Sequence, residues 1–128
     1  MLVDTDVIIW SLRGDNQAER ALQSLNGFVL SSVSYMELVQ GLRNNREFSH
    51  LRQALSFWSA KLVPLDETVS SRAMFLLEQH ALGDGLQLAD ALIAATAMVH
   101  GATLFTGNAK HYRAIRGLTL EVFRPTRR

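Results

Sequence analysis

Met1-Leu2-Val3-Asp4-Thr5-Asp6-Val7-Ile8-Ile9-Trp10 sets a short apolar run against an acidic turn and then returns to apolar residues. Leu2-Val3 reads as a buried strand, and Val7 to Arg13 as a helix that stops at Gly14. The same unit, apolar strand then polar turn, recurs twice. Phe28-Val29-Leu30 runs into the segment Ser31 to Glu37, and Thr103-Leu104-Phe105 runs into Thr106-Gly107-Asn108. Leu62-Val63, with Pro64 near its end, and Leu120-Glu121-Val122-Phe123 supply further strand candidates. Short apolar strands alternating with helices predict an α/β domain with a mostly parallel central sheet of four to five short strands and helices on both faces. A chain of 128 residues without a linker-like stretch or internal repeat predicts one domain spanning 1–128.

The helices are read from caps and spacing. Asp15 or Asn16 caps a second helix carrying Ala18, Ala21, Leu22 and Leu25, closed by Asn26-Gly27. Ser34-Tyr35-Met36-Glu37 has the form of a capping box, which predicts a helix from there to about Leu42. Phe48, Leu51, Leu55 and Trp58 share a face of the next helix. Asp66 caps one that carries Val69, Ala73, Leu76, Leu77 and His80 and breaks at Gly83-Asp84-Gly85. Leu88, Leu92, Ala95 and Val99 mark another, closed by His100-Gly101. Asn108 is placed to cap a short helix.

Composition removes several classes of function. Apolar residues make up 48% of the chain and charged ones 20%, the balance of a soluble folded protein. There is no cysteine, hence no disulfide and no thiolate metal site. His50, His80, His100 and His111 show no pairing at zinc-ligand spacing, and neither a Gly-rich phosphate loop nor a nucleophile elbow is present. Met1-Leu2-Val3 meets Asp4 at once, which predicts no signal peptide. The longest apolar stretch, Ala91 to Val99, is too short to cross a bilayer. A cytoplasmic protein without membrane association is expected. Net charge is only +1, but from Gly107 onward Lys110, Arg113, Arg116, Arg124, Arg127 and Arg128 face a single acid, Glu121. That basic end suits phosphates or is a solvated terminus. Trp10, Tyr35, Met36, Phe48, Phe57 and Trp58 are expected mostly in the core, with some available to a partner.

In open α/β sheets, sites gather beyond the carboxyl ends of the strands. Three polar clusters fall there: Asp4-Thr5-Asp6, Ser31 to Glu37, and Thr106-Gly107-Asn108. Asp4 alone reads first as a helix cap, and Glu37 reads as the returning half of the capping box. Asp90 differs. It lies in Leu88-Ala89-Asp90-Ala91-Leu92-Ile93-Ala94-Ala95, apolar or small on nearly every side, and a carboxylate there needs a partner. Acids gathered in one pocket repel each other unless a cation is present. Mg²⁺ or Mn²⁺, which favour carboxylate and water oxygens, meets that need and activates water against a phosphodiester.

With these residues in place, the chain resembles the PIN-domain family, and within it the VapC toxins. Residues 2–10 look like the family's opening strand and first acid. Ser32-Val33-Ser34-Tyr35-Met36-Glu37-Leu38-Val39-Gln40-Gly41 is similar to its second segment, Leu88 to Ala97 to its third, and Leu104-Phe105-Thr106-Gly107-Asn108-Ala109-Lys110-His111-Tyr112 to its fourth. The resemblance implies a Mg²⁺- or Mn²⁺-dependent endoribonuclease with one or two ions, in which Asp4, Glu37 and Asp90 are metal ligands. Asp6 then assists through a water, and Thr106 supports the first acid. It also implies an RNA substrate, a small antitoxin whose tail fills the acidic groove, and a homodimer. One departure stands out: the fourth acidic position holds Asn108, which offers a neutral oxygen and no charge. Capping is the alternative role for Asn108. Two rival readings remain. One is a catalytically silent module that binds RNA or a partner. The other is a phosphatase of the haloacid-dehalogenase type, whose nucleophile motif Asp4-Thr5-Asp6-Val7 mimics, but which also needs a downstream lysine and a later acidic pair.

Overall fold

The computed structural model describes residues 1–126. Leu2–Val3 forms β1, and Asp4 immediately caps α1 (Thr5–Leu12). The chain continues through α2 (Asn16–Ser24), β2 (Phe28–Ser31), α3 (Ser32–Gln40), α4 (Asn45–Phe57), β3 (Ala60–Val63) and α5 (Glu67–Asp84). It closes with α6 (Leu88–Val99), β4 (Leu104–Thr106), a 3₁₀ turn at Ala109–His111 and β5 (Leu120–Val122). The five strands lie in the order β3-β2-β1-β4-β5, and every pairing is parallel.

Alternation along the strands divides the interior in two. Leu2 and Leu104 pack with Val69, Ala73 and Leu76 of α5 and with the alanine-rich α6 on one face. Val3, Phe28, Leu30 and Phe105 pack with Val7 and Ile8 of α1, Leu22 of α2, and Leu51 and Leu55 of α4 on the other. The short run Leu2-Val3 therefore serves both faces, as expected of a central strand covered on each side. Within α6, Ala91, Ala94, Ala95 and Ala97 are buried, and Thr96 satisfies its hydroxyl by donating to the Leu92 carbonyl at 2.7 Å. No helix among the described residues is long and apolar enough to cross a membrane.

Helix α1 starts at Thr5, two residues before the expected Val7, because Asp4 caps it, and two further boundaries differ from expectation for physical reasons. The Ser34–Glu37 capping box does not form. Helix α3 follows β2 without a loop, so its cap is Ser31, whose hydroxyl accepts from the Val33 N–H at 3.2 Å. Ser34 is buried one turn inside the helix, and its hydroxyl has no partner among the described residues. The other is α5, which runs through Gly83 and ends only at Gly85, where φ of +68° closes the helix in the left-handed conformation. Of the two caps read for α2, Asp15 takes the role and Asn16 opens the helix, and Asp66 caps α5 as read from the sequence. Of the large side chains noted above, Trp58 is buried and Trp10, Tyr35 and Phe48 are partly covered, whereas Met36 and Phe57 are exposed.

Candidate metal-binding site

All strands point the same way, so β1, β2 and β4 deliver their carboxyl ends to one edge of the sheet. The chain passes from β1 leftward to β2 and β3, then returns to β4 on the right of β1. Asp4 stands at that reversal, the place where open parallel sheets leave a crevice. A cleft of about 430 Å³ opens there, lined by Asp4, Thr5, Asp6, Glu37, Asp90, Asn108 and His111 among others. All five acidic and amide positions named from the sequence line it, with Thr106 buried behind them.

Asp4 is buried and heavily bonded. Its Oδ1 accepts from the Thr5 N–H at 2.8 Å, and its Oδ2 accepts from the hydroxyls of Thr106 at 2.7 Å and Tyr112 at 3.0 Å. Capping and cleft placement thus coincide in one residue. Burial pushes its carboxyl above the usual range, and the Asp90 charge adds to this, while the three hydrogen bonds oppose the rise. Thr106 in turn accepts from the Asn108 N–H at 2.9 Å, so the β4 turn is tied to the first acid through one hydroxyl.

Asp6 takes the Gly107 N–H on Oδ2 at 3.0 Å, while its buried Oδ1 has no partner among the described residues. Burial, with the Asp4 charge behind it, raises the Asp6 carboxyl to about 7. Glu37 is exposed on α3 and accepts from the Thr5 hydroxyl at 2.7 Å. Its side chain reaches across to α1 and does not turn back to cap its own helix.

Asp90 occupies the first turn of α6. The Tyr112 hydroxyl lies 3.2 Å from its Oδ1, and His111 Nδ1 lies 3.3 Å from its Oδ2. Asn108 precedes the 3₁₀ turn, but its side chain makes no capping bond, so the capping role expected for it is not taken up. Tyr112 and His111 were not singled out as site residues from the sequence. In sequence His111 lies near the proposed site and reads as a surface histidine; it is both exposed and part of the cleft lining. Tyr112 belongs to the fourth segment that carries the resemblance, but nothing in its neighbours His111 and Arg113 marks its hydroxyl for the site, and its ring is core. Only the hydroxyl belongs to the site.

The donor chemistry fits a hard divalent cation. Four carboxylates border one cleft, one of their oxygens is buried without a partner, and two of them are held above their normal proton affinity by burial. Among the described residues no three acidic or imidazole groups are already gathered into a ligand set. Mg²⁺ does not require one, since it keeps several waters and takes one or two carboxylates directly.

The PIN domain profile matches residues 1–117. This chain belongs to the PIN-domain family. Among its relatives, ribonuclease VapC10 of Mycobacterium tuberculosis is 34% identical over 116 residues, covering 88% of this chain and 85% of that protein. Ribonuclease VapC1 of Methanocaldococcus jannaschii is 26% identical over 126 residues, covering 96% and 86%. A toxin–antitoxin complex from Klebsiella pneumoniae contains a chain 28% identical to this PIN domain, with a TM-score of 0.77 and coverage of 92% and 94%. DNA-bound VapBC from Salmonella typhimurium has the same fold, with a TM-score of 0.82 at 21% identity and coverage of 94% and 96%. The phosphatase alternative falls with this assignment. Lys61 and Lys110 are exposed, neither lines the cleft, and Asp66 is spent on capping α5.

Proposed function

We propose that this PIN domain is a cytoplasmic, Mg²⁺- or Mn²⁺-dependent endoribonuclease, the toxin of a toxin–antitoxin pair, with Asp4, Glu37 and Asp90 as its metal ligands. The observation that carries this reading is the cleft itself: hard oxygen donors at the switch point of the sheet, including an unpartnered Asp6 oxygen. The names of the VapC relatives supply the substrate class, and the Klebsiella complex supports an antitoxin partner.

A bound divalent cation supplies positive charge against the reacting phosphate and makes water more acidic. The chain's own residues do the rest. Thr106 and Tyr112 hold Asp4, Thr5 holds Glu37, and the Gly107 N–H orients Asp6, whose carboxyl near neutrality suits passing a proton through water. Asn108 contributes a neutral oxygen, so the acids here favour one ion over two. His111, exposed at the cleft wall, is placed to meet an RNA phosphate or base. Lys110, Arg113, Arg116 and Arg124 are exposed and basic, in keeping with a nucleic-acid substrate. Arg127 and Arg128, the end of that basic segment, lie outside the described residues.

Purified protein incubated with total RNA tests the reading. Cleavage with Mg²⁺ or Mn²⁺, abolished by EDTA and reduced at least a hundredfold in Asp90→Asn, is the expected result. Cutting by Asp90→Asn at the wild-type rate rejects the site. RNA binding without cleavage under any divalent ion favours the silent-module reading. Light scattering after size exclusion checks the homodimer.

A further inference from the structure

Counting lone pairs gives Tyr112 a role beyond packing. Its ring is buried in the face covered by α5 and α6, where phenylalanine would fill the same space. The hydroxyl is the part that packing does not explain, and a buried hydroxyl needs partners. Its single proton faces two cleft acids from distant parts of the chain, Asp4 Oδ2 at 3.0 Å and Asp90 Oδ1 at 3.2 Å, and is shared between them as a three-centre bond with the shorter arm to Asp4.

A carboxylate oxygen accepts at about two lone-pair positions. On Asp4, Oδ2 takes both the Thr106 and the Tyr112 hydroxyls and is filled, whereas among the described residues Oδ1 takes only the Thr5 N–H and keeps one position. We propose that Tyr112 is a positioning residue for the cation site: with Thr106 it occupies Asp4 Oδ2, so that Asp4 meets a divalent ion through Oδ1 alone, and by sharing its one proton with Asp90 Oδ1 it holds the two acids at a fixed separation. His111, the residue before it, lies against the other oxygen of Asp90. The 3₁₀ segment therefore sets the orientation of two acids whose elements are otherwise separate. This inference rests on the divalent-cation reading of the cleft.

Tyr112→Phe removes one oxygen and keeps the ring. Mn²⁺ alone, titrated and followed by electron paramagnetic resonance of the free ion, reads binding without RNA or activity. Wild type, Tyr112→Phe and Asp90→Asn are compared, and melts in EDTA establish that each is folded. The expected result is binding to wild type, binding about tenfold weaker in Tyr112→Phe, and loss in Asp90→Asn. A Tyr112→Phe curve that overlays wild type, or one that is tighter, overturns the positioning role while leaving the cation reading intact. A wild-type protein that binds no Mn²⁺, or an Asp90→Asn protein that binds normally, overturns the cation reading and the inference with it.

A second measurement avoids the variant. The chain has two tyrosines, so 3-fluorotyrosine labelling gives two fluorine resonances, assigned with Tyr35→Phe. Mg²⁺ should shift the Tyr112 resonance in wild type and leave it in place in Asp90→Asn. An unmoved Tyr112 resonance at saturating Mg²⁺ counts against the proposal.

Discussion

At the scale of single residues, the tightest constraint is at Gly107. A Cβ built there meets Asp6 Oδ2 at 2.5 Å, while the next neighbour, the Phe123 carbonyl oxygen, is at 3.5 Å. Its φ is not positive, so conformational freedom is not the reason for glycine. The carboxylate needs the room in order to reach the Gly107 N–H. Gly107→Ala must displace the Asp6 side chain and break that bond, which costs about 1–3 kcal/mol for a charge-accepting bond. Urea denaturation of Gly107→Ala, Asp6→Ala and the double variant checks the cause. Adding Gly107→Ala to Asp6→Ala should cost little, because the clashing oxygen is gone. Additive losses would reject the clash. The same residues show what sequence alone can reach. Asp90 was legible because an acid on so apolar a helix demands a partner. Tyr112 was not, because its hydroxyl acquires a role only when β1, α6 and the turn after β4 bring residues 4, 90 and 112 together.

At the scale of elements, strands were easier to read than helix starts. Leu2-Val3, Phe28-Val29-Leu30 and Leu104-Phe105 are apolar runs between polar turns, the pattern that strands covered on both faces favour. The start of α3 departs from the Ser34 capping box because the helix follows β2 with no loop, which makes Ser31 the cap. With Ser31 as the cap, the Glu37 side chain is released from the capping box and instead accepts from the Thr5 hydroxyl at the cleft. The two serines make a paired test. Ser31→Ala should lose about 1 kcal/mol of stability with its cap. Ser34→Ala removes a buried hydroxyl that has no partner among the described residues and should leave stability unchanged or slightly raised. Denaturant midpoints measured side by side distinguish the two, and a reversed order would restore the capping box.

For the whole molecule, the cleft couples global stability to pH and to cations. The Asp6 carboxyl titrates near 7 in the fold against 3.8 in the unfolded chain, first because it is buried and second because of the Asp4 charge; Asp4 is raised as well, mainly by burial. A raised carboxyl means that the folded state holds its proton more tightly than the unfolded one. The stability this contributes is fully present below about pH 4 and is lost as pH rises toward 7. The metal-free protein should therefore melt lower at pH 8 than at pH 5, with a ceiling of about 4 kcal/mol from Asp6, reduced by whatever water reaches its carboxylate. Asp6→Asn keeps an oxygen for the Gly107 N–H and has no charge to bury, so its melting temperature should exceed wild type by several degrees above pH 7 and approach it near pH 4. Millimolar Mg²⁺ at pH 8 should raise the wild-type melting temperature and narrow that gap, since a ligand that binds only the folded state stabilises it. Circular-dichroism melts in EDTA and in Mg²⁺ across this range measure both effects. If Asp6→Asn followed the wild-type pH slope in EDTA, the buried Asp6 carboxylate would not be its source, and the cleft would lose its electrostatic reason for recruiting a cation.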